Sequence, residues 1–138
     1  MMRVAILSTL AGALALSGCA SAERAPACPA GQEAMRTATL FFGRNIGEKP
    51  GVSDAQFQKF VDEELTPRFP AGLTVLDGGG QWKNSDDVLI REASKVVVLV
   101  LPAGGDSSGK LTAARRAYAQ AFKQDSVLLI TQSACVDF

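Results

Sequence analysis

The chain has 138 residues, with 14 Lys and Arg against 14 Asp and Glu, and no His. This length fits one domain, and the balanced charge argues against a nucleic-acid binder, which would carry a basic surplus. The lack of His excludes imidazole catalysis and His metal ligands within the chain. The sequence therefore predicts no metal, no cofactor and no nucleic-acid partner.

The N-terminus reads as a targeting segment. Arg3 precedes an apolar stretch, Val4 to Leu16, that is too short to span a membrane. The stretch ends in Leu16-Ser17-Gly18-Cys19, which resembles the lipobox of bacterial lipoproteins, where the Cys is lipidated after cleavage. We therefore predict a signal peptide over residues 1–18 and a membrane anchor at Cys19, with a flexible tether over 19–35. The alternative is an ordinary secretory peptide cleaved near Ala20 or Ala22.

The resemblance to lipoproteins also implies an address. Ala20, and not Asp, follows the Cys, which by the sorting rules of that family implies the outer membrane, facing the periplasm, in a Gram-negative host. Such a compartment is oxidising, so Cys28 and Cys135 are predicted to form a disulfide. Two free thiols remain the alternative.

The mature chain alternates strands and helices. A strand is predicted over Met35–Arg44, and a helix begins at Ser53, which forms a capping box with Gln56, and ends before Pro67. The second strand starts at Leu73, is interrupted by a bulge or bend at Gly78-Gly79-Gly80, and resumes at Gln81.

The third strand starts at Val88 and runs through Ala93–Leu101, the most apolar stretch of the mature chain, so we expect it to be buried on both faces. A helix over about Ser108–Lys123 and a strand over Ser126–Thr131 follow. The order β-α-β-β-α-β predicts one ferredoxin-like α+β domain over residues 36–138, with two helices on one face of a four-stranded antiparallel sheet. Because the last two strands are apolar on both sides, the open face should be covered, by a second copy in a homodimer or by the N-terminal arm.

Four segments carry a resemblance to a known family. They are Leu40-Phe41-Phe42-Gly43-Arg44, Thr66-Pro67-Arg68-Phe69-Pro70-Ala71-Gly72-Leu73-Thr74-Val75, Gly80-Gln81-Trp82 and Arg91-Glu92-Ala93-Ser94-Lys95. The chain resembles domain-of-unknown-function family 3574, small bacterial envelope proteins with a Thr-Pro-Arg-Phe motif, from about Thr39 to Phe138. The resemblance implies a grouping and supplies no activity.

One loop matches part of a phosphate-binding motif. Gly104 to Lys110 spells G-x-x-x-x-G-K between a strand and a helix, the context that such a loop needs. However, Leu111 stands where Ser or Thr would bind magnesium. We favour the alternative, a Gly/Ser loop that leads into a helix.

Polar residues are predicted to meet at one edge of the sheet, where the first two strands end and the third begins. Two arginines and an aromatic ring there would suit a carboxylate, a phosphate or a sugar. The alternative is structural: an arginine pairs with Glu92, and Trp82 covers the glycine bend. The candidate ligand-binding residues are Arg44, Gln81, Trp82, Arg91, Glu92 and Lys95.

No positioned nucleophile or acid–base pair stands out in the sequence. The preferred prediction is therefore a lipid-anchored, non-catalytic binding or interaction module whose partner is a protein or a small anionic ligand. The alternative is a small ferredoxin-like enzyme that uses the Arg44–Trp82–Arg91–Glu92 edge. A purely structural envelope component is a third possibility.

Overall fold

A computed structural model describes residues 27–47 and 49–138. The predicted signal peptide, the lipobox Cys19 and residues 20–26 of the tether lie outside this part. No helix within it is long and apolar enough to cross a membrane.

The described residues form six strands and two helices, one of which continues as a π-helical segment. In chain order they are β1 (Glu33–Gly43), β2 (Asn45–Ile46), β3 (Lys49–Pro50), α1 (Asp54–Phe60) with a π-helical continuation (Val61–Leu65), β4 (Thr74–Lys83), β5 (Leu89–Leu101), α2 (Ser107–Phe122) and β6 (Leu128–Val136).

The main sheet has the order β4-β5-β1-β6 and is antiparallel throughout. β1 and β5 are the two central strands of this sheet. The predicted ferredoxin-like α+β fold is confirmed. The short pair β2–β3 is a small hairpin between the predicted first strand and the predicted first helix.

The first helix begins where its capping box predicts. The Ser53 hydroxyl accepts a hydrogen bond from the Gln56 backbone N–H, and the Gln56 side chain accepts one from the Ser53 N–H. Two backbone N–H groups that have no partner within the helix are thereby hydrogen-bonded. The chain leaves the helix after Leu65, where Arg68 donates to the Glu64 carbonyl and pairs with its carboxylate.

The helices cover one face of the sheet because alternate strand residues on that face are large and apolar. Phe42, which is fully buried, lies at the centre of an aromatic cluster. Its ring centroid is 5.5 Å from Phe57, 5.7 Å from Phe60 and 4.7 Å from Tyr118, all in edge-to-face geometry. This cluster ties β1 to both helices.

Two details of the predicted strands are wrong. β4 runs without a bulge, and Gly78, Gly79 and Gly80 pair in unbroken register with Ser94, Ala93 and Glu92 of β5. In addition, β5 is buried on one face only. Val97 and Leu99 are buried under the helices, whereas the alternating valines of the other side are half-buried.

The open face of the sheet is largely apolar, with Thr37 and Thr39 of β1 among its residues, and is uncovered within the described residues. Leu128, Leu76 and Ile130 are 57%, 51% and 43% exposed there. They flank Phe41, Val96, Val98 and Val100, which share the same side by register. The predicted cover for this face therefore remains a prediction.

The predicted disulfide joins Cys28 to Cys135, across 107 residues. It links the chain that enters β1 to the end of β6, where Glu33, Ala34 and residues 131–133 are exposed. The covalent bond thus holds an end of the sheet that the helices do not cover.

Candidate functional site

The six candidate residues lie at one end of the sheet but on opposite faces. The pleat alternates side chains along β5, so Arg91 and Lys95 lie on the helix side and Glu92 on the open side. Gln81 shares the helix side with Arg91, its register partner, and Trp82 lies on the open side. The sequence placed all six at one edge and did not separate these two groups.

On the helix side, Lys95 is the centre of an ion-pair network. Its Nζ lies 2.7 Å from Oδ1 of Asp54 and 2.5 Å from Oδ1 of Asp77. Arg44 lies 3.2 Å from the same Asp54 oxygen and donates from Nε to the Val52 carbonyl at 2.8 Å. These contacts fix the start of α1 to β4 and β5, so Arg44 and Lys95 are engaged in holding the fold together.

The network shifts the pKa values of Asp54 and Lys95 so that the charged form of each is favoured. The hydrogen bond from Lys95, with the nearby Arg44 charge, lowers the pKa of Asp54 below its usual value. The hydrogen bonds to Asp54 and then Asp77 raise the pKa of Lys95 above its usual value. Both shifts stabilise the ion pairs and leave neither group near neutrality as an acid or a base.

Gln81 and Arg91 form a second, smaller polar pair on the helix side. The Arg91 Nε donates to Oε1 of Gln81 at 3.0 Å. The pair lines an open hollow of about 490 Å³, together with the strand residues 78–80, 92 and 93. The two predicted anion-binding arginines, Arg44 and Arg91, therefore do not converge with Trp82 on one ligand.

On the open side, Glu92 lies against Gly43 of β1. A Cβ at position 43 would be 2.7 Å from Oε1 of Glu92, so only glycine leaves room for the carboxylate there. Oε1 accepts a hydrogen bond from the backbone N–H of Asn45 at 2.7 Å. No described residue donates to Oε2, so this second oxygen has no hydrogen-bond partner within that part of the chain.

Trp82 lies beside Glu92 on the same side. Its ring approaches within 3.7 Å of the place where a Cβ of Gly80 would be, and Gly80 is the register partner of Glu92. The side chain is 46% exposed. The glycines thus form a floor of bare backbone between an aromatic ring and a carboxylate.

The backbone of Gly43 and Asn45, which lies beside this carboxylate, accepts two side-chain hydrogen bonds. Tyr118, fully buried, donates from its hydroxyl to the Gly43 carbonyl at 2.8 Å. The Gln124 side chain donates to the carbonyl of Asn45, itself a buried residue. Burial raises the pKa of the Tyr118 hydroxyl far above its usual value, and the Glu92 charge adds to this while Arg44 opposes it. Tyr118 is therefore a hydrogen-bond donor and not a base.

We call Glu92, Trp82, Gly43 and Gly80 the open-face site. A carboxylate oxygen and the face of an indole both attract positive charge. A small organic cation is therefore the ligand that these groups suit, and a carboxylate in the same place can also accept a proton. This differs from the anionic ligand that the sequence analysis predicted from the arginines.

Neither Asn45 nor the role of Gly43 is apparent from the sequence. Gly43 lies within the predicted first strand, and a lone glycine in sequence carries no sign of what approaches it. The one available signal was that Gly43 and Glu92 both lie in the segments shared with the family, as Leu40–Arg44 and Arg91–Lys95.

The loop at Gly104–Lys110 is an ordinary helix start. Oδ1 of Asp106 accepts the Gly109 N–H at 2.8 Å and caps α2. A phosphate-binding loop would use that N–H as a donor, but Asp106 already accepts it. The contact therefore favours the Gly/Ser loop over the phosphate-binding loop.

Comparison with known proteins gives a family and a fold. The model of a family described as "Protein of unknown function (DUF3574)" matches residues 37–138. No curated protein matches the chain. A solved structure described as "phage SAM lyase in complex with S-methyl-5'-thioadenosine" is similar, with a TM-score of 0.58, 18% identity, and coverage of 82% of this chain and 95% of that chain. A second, "phage SAM lyase in apo state", has a TM-score of 0.58 and 21% identity, and covers 75% and 86%.

These likenesses contradict the preferred prediction of a non-catalytic binding module. The solved structures that share the fold over most of both chains are those of an enzyme. At 18% and 21% identity they show the fold alone, so the finding supports the alternative, a small ferredoxin-like enzyme, without assigning its reaction.

Proposed function

We infer a function for a chain that belongs to the family of proteins of unknown function DUF3574, whose model matches most of its length. We propose that it is an enzyme acting on a small organic cation of the sulfonium class at the open-face site. The observation that carries the proposal is the Glu92 carboxylate, fixed through one oxygen by the Asn45 N–H and open at the other, beside the Trp82 ring.

The substrate class follows from the charge and shape of the open-face site. Glu92 and Trp82 sit on adjacent strands, two residues apart in the register, so their Cα atoms are about 7–8 Å apart. A ligand that spans this distance would place its positive centre at the carboxylate and a flat group against the indole. S-adenosylmethionine, the substrate that the name of the similar lyase implies, has both, which supports the choice.

The chemistry that the site offers is C–S bond cleavage by elimination. The C–S electron pair passes to sulfur, which becomes a neutral thioether. A proton from the neighbouring carbon passes to Glu92, and the C–H electron pair forms a C=C bond. Because the product sulfur carries no charge, the carboxylate no longer attracts it, and release is favoured over rebinding.

The test compares a charged ligand with its neutral counterpart. The purified chain is titrated with S-adenosylmethionine and with S-methyl-5'-thioadenosine, and release of the thioether is followed by liquid chromatography and mass spectrometry. We expect Glu92→Gln to weaken the cation by at least ten-fold, to leave the neutral thioether unchanged, and to abolish turnover. Trp82→Ala should weaken both ligands, since both carry the flat group.

Glu63→Gln is the matched control, because Glu63 is an exposed carboxylate on the helices that pairs with Lys59. It should change neither binding nor turnover. Unchanged cation binding in Glu92→Gln would refute the proposal, as would preferential binding of phosphate or carboxylate compounds, which would restore the arginines as the site.

We also propose that the enzyme works outside the cytoplasm, anchored through Cys19. The Cys28–Cys135 disulfide supports this, since such bonds persist in oxidising compartments. Metabolic labelling with palmitate should mark the chain and fail to mark Cys19→Ser. Equal labelling of both chains would contradict the anchor. The substrate in the cell is then a sulfonium compound of that compartment.

A further inference from the structure

The open-face site has a floor but no walls among the residues that the structure describes. Small-molecule sites bury most of the ligand surface, whereas Trp82 is 46% exposed and the glycines leave the floor bare. The open hollow of about 490 Å³ that Glu92 lines with Gln81, Arg91 and the glycines does not include Trp82 in its lining. The site therefore needs a second surface above it.

The site continues without a break into the apolar open face. Along β4, Leu76 follows the glycine floor, and along β5, Val96 follows Ser94 next to Glu92. Beyond them lie Leu128 and Ile130 of β6. Whatever covers this apolar surface also borders the open-face site.

We propose that a second copy of this chain packs on the open face and completes the site of each copy. The proposal rests on the function proposed above for what the site binds, and on the exposed face for the interface. At about 4.8 Å between strands and 3.3 Å per residue, four strands of ten residues cover on the order of 600 Å². This approaches the roughly 800 Å² per partner of a stable interface.

Charge favours a copy of the same chain. Among the described strand positions on this face, only Glu33 and Glu92 carry charge, and they lie at opposite ends of the sheet. Two such faces therefore meet without burying an unpaired charge at the centre. The formal net charge of the chain is zero, so two copies have no net repulsion to overcome.

The N-terminal arm suits this role poorly. Residues 20–26 read Ala-Ser-Ala-Glu-Arg-Ala-Pro, with no large apolar side chain to fill the face. The arm is also joined through Cys28 to Cys135, which lies five residues along β6 from the exposed Ile130 and seven from Leu128.

The test places a photocrosslinker on the face in the full chain, in the membranes of cells that make it. Leu128→p-benzoylphenylalanine is compared with Val88→p-benzoylphenylalanine, because Val88 is 53% exposed but lies in the turn between β4 and β5. We expect an adduct of twice the chain mass from position 128 and none from position 88. Mass spectrometry should find the linked peptides in β4, β5 or β6 of the second copy.

Crosslinks from position 128 to residues 1–26 of the same chain would overturn the proposal in favour of the arm. An adduct with a different protein, or equal adducts from both positions, would overturn it as well.

A second measurement separates the interface from the activity. Leu128→Lys should abolish self-association and weaken cation binding at least ten-fold, whereas Val88→Lys should do neither. Glu92→Gln should lose cation binding and keep the crosslink. Self-association without cation binding in the unmodified chain would refute the proposed function alone. Undiminished cation binding in both Leu128→Lys and Ile130→Lys, with self-association lost, would overturn the completion of the site.

Discussion

The two faces of the sheet are built from similar residues and differ in what covers them. On one face, Phe42 is fully buried against three aromatic rings from the helices. On the other, its neighbour Phe41 lies half-buried among valines and exposed leucines. The covered face holds the fold together and uses its polar residues for internal ion pairs. Among the described residues, the open face leaves one carboxylate oxygen of Glu92 and the indole of Trp82 without an internal hydrogen-bond partner. The polar groups that remain free to bind a ligand therefore lie on the face that the helices do not cover.

The adjacent phenylalanines give the largest expected contrast. Phe42→Ala removes the centre of the aromatic cluster and should lower the free energy of unfolding by about 3–5 kcal/mol, the range for a buried aromatic ring. Phe41→Ala should lower it by about 1 kcal/mol, since that ring is only partly buried within one chain. Urea unfolding of the two variants measures the difference. Equal losses would mean that the open face is as well covered as the other.

The disulfide is expected to stabilise mainly the end of the sheet that the helices do not cover. Cys28→Ala with Cys135→Ala should lower the free energy of unfolding by about 2–5 kcal/mol, because the bond closes a long loop in the unfolded chain. Hydrogen exchange should show the gain in local opening at the ends of β1 and β6, with the aromatic cluster still protected. Uniform loss of protection would instead make the disulfide a support for the whole core.

A single methyl group tests the open-face site with little effect on stability. Gly43→Ala would place a Cβ 2.7 Å from the Glu92 carboxylate, whose flexible end can move aside, so we expect a change in unfolding free energy below about 1 kcal/mol. The displaced carboxylate should bind the cation at least ten-fold more weakly in a titration. Gly79→Ala is the control, because its Cβ would meet nothing closer than 3.9 Å and points to the helix side. Unaltered cation binding in Gly43→Ala would remove Glu92 from the site.

The ion pairs of the covered face should give the smallest effect, visible as a pH dependence. The pKa of Asp54 is lowered on folding, so its contribution is present above its usual value of 3.8 and is lost as the pH falls through the lowered value. The pKa of Lys95 is raised, so its contribution is present below 10.5 and is lost as the pH rises through the raised value.

Asp54→Asn should therefore weaken the pH dependence of the melting temperature at acid and at alkaline pH. Around neutral pH the melting temperature should stay nearly constant. Because Asp54 is exposed, the change should be small. A large loss of stability at neutral pH would show that these pairs hold the fold more firmly than their exposure suggests.

Much of the fold followed from local patterns. Ser53 and Gln56 predicted the start of the first helix, and the apolar run at Ala93–Leu101 predicted a central strand. In both cases the determining contacts lie within a few residues of chain or in the average environment of a strand. The bulge predicted at Gly78–Gly80 was wrong because pairing with β5 holds glycines in regular register as well as other residues.

The candidate site was predicted only as a set of neighbours. Strand order brought the six residues to one end of the sheet, but the pleat divided them between two faces, and that division depends on the register of β4 and β5. Arg44 and Lys95 were drawn into ion pairs by Asp54, which lies at the start of a helix and gave no sign in sequence of approaching the sheet.

The sequence by itself determined the elements, their order and the cysteine pair, because capping, periodicity and composition act over short stretches of chain. The tertiary structure alone decided which polar groups form internal ion pairs and hydrogen bonds and which remain free to bind a ligand. It places Gly43 under the Glu92 carboxylate, 49 residues along the chain, and leaves one oxygen of that carboxylate open on an uncovered apolar face. Such a juxtaposition depends on register and on the absence of a side chain, and neither is written locally in the sequence.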